Sequence, residues 1–254
     1  MSQPAETILL LHGQPGSARD WDRVSAAIAP RATTLAFDRP GWDGRRGAVG
    51  VAGNAAAAVE ELDRAGIDRA TVVGHSFGGA VAAWLAAFHP ERVSRLVLVA
   101  PAANLASLGR VDYLLAIPVA GYLLGAAALG GAGAALRARP IRQRIGSRLS
   151  LEERFLRAAG DVLLAPDAWL AFFLEQRALV DELPTLEARL GRIAAPTTIL
   201  AGTNDPIVPV SAARRLASQI SGAEFVLLPG AGHLLAQQRA SELAEAIAGR
   251  VPLG

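Results

Sequence analysis

Residues 74–93 read GHSFGGAVAAWLAAFHPERV. One serine stands between glycines, straight after a run of β-formers, ATVVGH (70–75), and straight before an alanine-rich stretch of helical composition. A strand that turns at once into a helix bends within two or three residues. Gly74 and Gly78 then approach each other across the bend, where a Cβ on either would clash. Ser76, at the apex, takes a strained conformation that pushes its hydroxyl beyond the end of the sheet. The helix that follows turns its first backbone N–H groups to the same spot, which suits developing negative charge. A glycine-serine-glycine spacing alone also fits an ordinary turn, so its meaning rests on the strand and helix around it.

Outward from this bend the chain alternates. TILLL (7–11), TTLAF (33–37), RLVLVA (95–100), TTILAG (197–202) and EFVLL (224–228) are further short apolar runs that read as buried strands. Between them SARDWDRVSAAIA (17–29), NAAAAVEELDRAG (54–66), GGAVAAWLAAFH (78–89), VSAARRLASQI (210–220) and QRASELAEAIAGR (238–250) carry helical spacing, with Asn54 as N-cap and Gly66 as stop of the second. Strands alternating with helices predict a parallel sheet with helices on both faces and ligands at the carboxyl ends of the strands. The rhythm breaks over 104–190, which contains no convincing strand. The expected organisation is therefore a core of 1–103 and 191–254 with a helical cap inserted at 104–190. Within the cap, residues 113–136 carry no charge, a length that also fits a transmembrane helix. Pro118 and five glycines break that stretch, so a cap hairpin is expected, apolar toward the cleft with Leu123 and Leu124 on the cleft side, and no membrane span.

All 25 basic residues of the 254 are arginine, set against 23 acidic ones. They are interleaved with acids, as in DELPTLEARLGR (181–192), which argues against a nucleic-acid partner. The densest basic run, RARPIRQRIGSR (137–148), reads as a solvated helix face. Without cysteine there is no disulfide, thiolate nucleophile or thiolate metal site. The four histidines lack metal-ligand spacing, so no metal is expected. The first residues have no basic segment ahead of their short apolar run, and a cytoplasmic protein is the expectation.

A serine hydroxyl needs a base. His233, in the glycine-rich loop PGAGHLL (229–235) after the last strand, is the candidate. His12 is expected to hold its own loop, His75 to project away from the cleft, and His89 to end a helix. The base needs a carboxylate to fix its tautomer. Asp205, in GTNDPIVP (202–209) at a strand's carboxyl end, is the candidate, with Asp112 and Asp181 as weaker alternatives inside the insertion. LLLHGQPGS (9–17) is a strand followed by a Gly/Pro loop that either is a simple turn or presents an oxyanion donor. Pro15 has no N–H, so that donor would be the Gln14 amide, partnered by the Phe77 amide.

With HGQPGS, DRPGW, VVGHSFGG, AFHPERV, GTNDPIVP and GAGH in this order, the chain resembles the α/β-hydrolase superfamily. The resemblance implies an α/β-hydrolase fold, a mostly parallel sheet with a helical cap. Only six residues precede TILLL where the family usually has an antiparallel hairpin, so about six strands are expected. Ser76 stands where epoxide hydrolases and haloalkane dehalogenases carry aspartate, which argues against both, although Tyr113 and Tyr122 lie in the cap. The implied activity is carboxylesterase-like: a serine hydrolase of small to medium hydrophobic esters, with Ser76, His233 and Asp205 as triad, an acyl-enzyme intermediate and no cofactor. C–C bond hydrolysis of a diketone-like substrate, lactone hydrolysis, or a non-catalytic ligand receptor remain open on the same residues.

Overall fold

The computed structural model describes residues 7–29 and 31–249. Among these, six strands form one sheet: β1 (Thr7–Leu11), β2 (Thr33–Ala36), β3 (Ala70–His75), β4 (Val93–Val99), β5 (Thr197–Gly202) and β6 (Glu224–Leu228). Their order is β2-β1-β3-β4-β5-β6, and every neighbouring pair is parallel. The chain leaves β1 toward one edge and later returns to start β3 on β1's other side. The loops after β1 and β3 therefore part, and a crevice opens at their carboxyl ends.

The helices that return the chain between strands are α1 (Asp22–Ile28), α2 (Val51–Arg64), α3 (Phe77–Phe88), α9 (Val210–Gln219), α10 (Leu235–Gln238) and α11 (Ala240–Ile247). Side chains alternate across each strand. Leu9, Leu11, Val72, Leu96 and Leu98 pack with α2 and α3 on one face. Leu10, Val73, Val97 and Val99 pack with Trp21, Val24, Leu243 and Ile247 on the other. Both faces are dry, which is why the strands read as continuous apolar runs.

Between β4 and β5 the chain forms α4 (Arg110–Leu115), α5 (Ala120–Arg137), α6 (Arg139–Leu149), α7 (Glu153–Leu163) and α8 (Pro166–Glu187), with no strand. The charge-free stretch splits at Pro118 between α4 and α5, and no helix among the described residues is long and apolar enough to cross a membrane. α8 belongs to two environments. Leu179, Leu183 and Leu186 in its second half are buried in the main core.

Some boundaries differ from the sequence reading. Helix α2 starts at Val51, so Asn54 is not its N-cap but a buried residue of the first turn, donating to the carbonyls of Val49 and Gly50. A 3-10 turn, Ala18–Trp21, precedes α1. The last helix is two: the chain breaks at Arg239, whose guanidinium donates to the Pro229 carbonyl, and residue 250 lies outside the described residues.

Candidate active site

The bend after β3 is as tight as its glycines imply. A Cβ on Gly74 would sit 2.1 Å from the Gly78 carbonyl oxygen, and one on Gly78 would sit 2.3 Å from that of Leu11. Ser76 has φ 53° and ψ −118°. This left-handed backbone is costly for a residue with a Cβ and is maintained here by its surroundings. Ser76 N donates to Val99 O at 3.0 Å, and its carbonyl accepts from the Gly79 and Ala102 amides. The loop after β1 presses on the bend, for a Cβ on Gly13 would lie 3.1 Å from Ser76 Cβ.

His233 comes to the same place from the loop after β6. Its Nδ1 is 2.8 Å from Asp205 Oδ2, with both side chains nearly buried. Asp205 Oδ1 accepts from the amides of Ile207 at 2.8 Å and Val208 at 3.0 Å. Burial pushes the Asp205 carboxyl up, but the His233 hydrogen bond and charge and these two amides outweigh it and hold the group below its usual range. An ionised Asp205 only accepts, so His233 carries its proton on Nδ1 and turns the Nε2 lone pair outward. The alternatives lie elsewhere: Asp112 accepts from Gly109 N and Gln176 Nε2, and Asp181 is exposed. Among the described residues no hydrogen bond joins Ser76 Oγ to His233 Nε2, and no three His, Asp or Glu side chains converge to hold a metal ion.

A strand–serine–helix bend facing a histidine–aspartate pair from two later strand ends is the arrangement common to one large family, and the model of the alpha/beta hydrolase fold matches residues 6–238. The chain belongs to the alpha/beta hydrolase family. It is 29% identical over 246 residues to a 2-hydroxy-6-oxononadienedioate/2-hydroxy-6-oxononatrienedioate hydrolase of Klebsiella pneumoniae, covering 90% of this chain and 81% of that protein. It is 31% identical over 237 residues to an uncharacterized protein of Mycobacterium bovis, covering 89% and 69%. Among solved structures it is similar to the 2-hydroxy-6-oxo-6-phenylhexa-2,4-dienoate hydrolase of a Rhodococcus species, with TM-score 0.74, 22% identity, and coverage of 97% of this chain and 90% of that one.

In this hydrolase a cavity of about 550 Å³ lies between α5, α6 and α7 and the loop after β1. Leu136, Ile145, Leu151, Phe155, Ala159 and Val162 give it an apolar wall, and Gln14, His75 and His233 line its inner end. The volume suits a small organic ligand. Ser76, 7% exposed, sits behind this end and does not itself line the cavity. The cavity meets only the last turns of α5. Leu123 and Leu124 are 60% and 45% exposed on the outside, contrary to the cleft position expected for them.

His75 also differs from expectation. It does not project away but lines the cavity, its ring 4.9 Å from that of His233. The cause is strand alternation: His75 shares the face of Val73, and at the carboxyl end that face is covered by the His233 loop. Its Nε2 donates to the His233 carbonyl at 2.9 Å. Burial, then the neighbouring His233, push its pKa down to about 3, so it is a neutral prop for that loop. His12 behaves as expected: Nδ1 donates to Gly13 O at 2.8 Å and Nε2 accepts from Arg39 N at 3.1 Å.

Sequence reasoning missed Arg39 and Glu175. Arg39, in the DRPGW loop after β2, is wholly buried and ion-paired through both terminal nitrogens with Glu175 of α8, also wholly buried. Arg39 also donates to Asn54 Oδ1, His12 O and Gly13 O. A signal was available. Ala171, Ala178 and Leu179 lie four before, three after and four after Glu175, so the carboxylate stands on the helix's apolar face and demands a buried cation.

Asp20 lines the cavity and accepts from Ser17 N at 3.2 Å. Burial pushes its carboxyl up to about 7, Asp38 and Asp22 adding to the rise against the Ser17 amide and Arg39. Its ordinary value is 3.8. Between these values the unfolded chain has lost a proton that the folded one keeps. Stability therefore falls as pH rises through that window and levels off above it. Asp20→Asn keeps the Ser17 contact and removes the titration. Its unfolding free energy, from urea titration, should match wild type at about pH 4 and exceed it at about pH 8, by on the order of a few kcal/mol. An equal gap at both pH values would assign the slope to another group.

Proposed function

We propose that this protein is a serine hydrolase that cleaves the bond beside a carbonyl carbon, with Ser76 as nucleophile, His233 as base, Asp205 as its orienting acid, and the Gln14 and Phe77 amides as oxyanion donors. The carrying observation is the His233–Asp205 pair, its Nε2 lone pair free, set at the inner end of an apolar cavity beside a strained Ser76. Neither the Gln14 nor the Phe77 amide has a hydrogen-bond partner among the described residues. Helices α5–α7 act as a cap that keeps water from the acyl part of the substrate.

Ser76 Oγ attacks the carbonyl carbon and its proton passes to His233 Nε2. The two amides take the charge that forms on the carbonyl oxygen. The tetrahedral adduct collapses, the leaving group departs with the electron pair of the broken bond, and it takes the proton back from His233. Water, deprotonated by the same histidine, then releases the acid and restores Ser76.

The leaving group is carbon in the reading we favour, that is, C–C hydrolysis of a diketone-like acid. Relatives from Klebsiella pneumoniae and Pseudomonas putida at 26–29% identity, named as 2-hydroxy-6-oxononadienedioate hydrolases, support it. A carbon leaving group needs a conjugated carbonyl to hold its electron pair, which such a dienone supplies. Arg19 lines the cavity without an acidic partner among the described residues and suits a substrate carboxylate. An ester is the second reading, favoured by the apolar wall. The deciding assay compares loss of the conjugated chromophore of a 2-hydroxy-6-oxo-dienoate with hydrolysis of nitrophenyl esters of two to eight carbons. We expect kcat/KM at least about tenfold higher for the dienoate, one decade being about 1.4 kcal/mol. The reverse order would assign an esterase, and no turnover of either a ligand-binding role.

A further inference from the structure

We propose that Arg39 is a positioning residue for the oxyanion site: together with His12 it aims the Gln14 N–H by gripping the carbonyl of the same peptide, and the grip is completed by Glu175 on α8. This rests on the oxyanion role given to Gln14 above. The Gly13–Gln14 peptide is trans, so its C=O and N–H point in opposite directions. Gly13 O accepts twice from one side, from Arg39 Nη2 at 2.9 Å and from His12 Nδ1 at 2.8 Å. Arg39 Nε holds the preceding carbonyl, His12 O, at 3.0 Å. With two successive carbonyls turned to the guanidinium, the Gln14 N–H has one direction left, away from Arg39. A charged donor on the carbonyl also polarises the amide and strengthens its N–H as a donor.

The same guanidinium lies 4.7 Å from the centroid of the Phe77 ring, so it touches both residues whose amides are assigned to the oxyanion. No solvent reaches it, and its counter-charge comes from Glu175, carried by the inserted helical segment. Seating α8 thus completes the charge balance behind the Gln14 peptide. A rival account makes the Arg39–Glu175 pair a mere clamp for α8, in which case any well-packed neutral replacement should serve equally well.

The double variant Arg39→Met/Glu175→Leu separates the two accounts, because replacing both members of a buried pair by apolar residues leaves no lone charge and commonly preserves the fold. Its thermal midpoint is measured first. We then expect affinity for a boronic acid or trifluoromethyl ketone, which mimic the tetrahedral adduct, to fall about 10- to 100-fold, somewhat less than the 10²–10³ for deleting a donor. kcat should fall by a similar factor, while affinity for the planar carboxylic acid product stays within about twofold. A folded double variant with wild-type kcat and wild-type affinity for the tetrahedral mimic overturns the proposal. If it does not fold, the wild-type protein decides. The carbon-13 resonance of the Gly13 carbonyl should lie downfield of singly bonded glycine carbonyls, and an unshifted one overturns the positioning role. Turnover that survives Ser76→Ala would instead remove the serine mechanism, whatever the Arg39 result.

Discussion

Ser76→Ala should lose turnover by about 10⁴- to 10⁶-fold and lose all labelling by a fluorophosphonate probe, while folding as wild type does. The backbone hydrogen bonds that hold residue 76 use its N–H and C=O, not its side chain. Alanine at φ 53° bears the same strain as serine, so the loss would be chemical. Some turnover above water should remain, from the two amides and from binding. Glycine at the same position gives an independent reading of the strain. It is equally inactive, yet without a Cβ it should raise stability by roughly 1–3 kcal/mol. An active alanine variant would remove the covalent mechanism.

Asp205→Asn should be nearly as damaging, lowering kcat by about 10⁴ with little change in melting temperature. The second oxygen of Asp205 decides how an asparagine would sit. Oδ1 accepts from the Ile207 and Val208 amides, so an asparagine there would keep its carbonyl oxygen on those donors. Its NH₂ would then face His233 Nδ1 at the position Oδ2 now holds, 2.8 Å away. Histidine would have to accept at Nδ1 and carry its proton on Nε2, which leaves no base for Ser76. Asp205→Ala, which imposes no tautomer, should be less inactive than Asp205→Asn. The opposite ranking, measured as kcat at saturating substrate, would show that residue 205 acts mainly by holding the His233 ring in place through a hydrogen bond and not by fixing its tautomer.

How much of this could be read beforehand follows from physical range. The four inner strands, β1, β3, β4 and β5, were legible because they are buried on both faces, and such burial writes an apolar run that needs no partner to be recognised. The edge strands β2 and β6 are only half-buried and were placed by the alternation around them. The bend at Ser76 was legible because the close approach of Gly74, Gly78 and Leu11 excludes side chains, and an excluded side chain appears in the sequence as glycine. His233 and Asp205 were legible by position, each in a loop at the carboxyl end of a strand. His75 was misread because its direction depends on which loop covers its face of the sheet, and Asn54 because the helix begins three residues before it, at Val51. Arg39 and Glu175 stand 136 residues apart. Nothing local to Arg39 announces its partner, although the apolar neighbours of Glu175 show that the carboxylate has one. The sides of the cap helices were not legible either, since α5 is apolar nearly all round and only packing chooses which face meets the cavity.

Strands β4 and β5 lie side by side in the sheet but are separated along the chain by the five helices of the insertion, roughly a hundred residues. Closing a loop of that length carries an entropic cost that grows only with the logarithm of its length, about 0.6 kcal/mol for each doubling. Halving or doubling the insertion would therefore hardly disturb the β4–β5 pairing at equilibrium. Its burden falls on kinetics, because that distant pairing must form before β5 and β6 join the other four strands. A fold arranged in this way can exchange the helices between β4 and β5 at small thermodynamic cost, and it concentrates the risk of misfolding in the interval before β5 arrives.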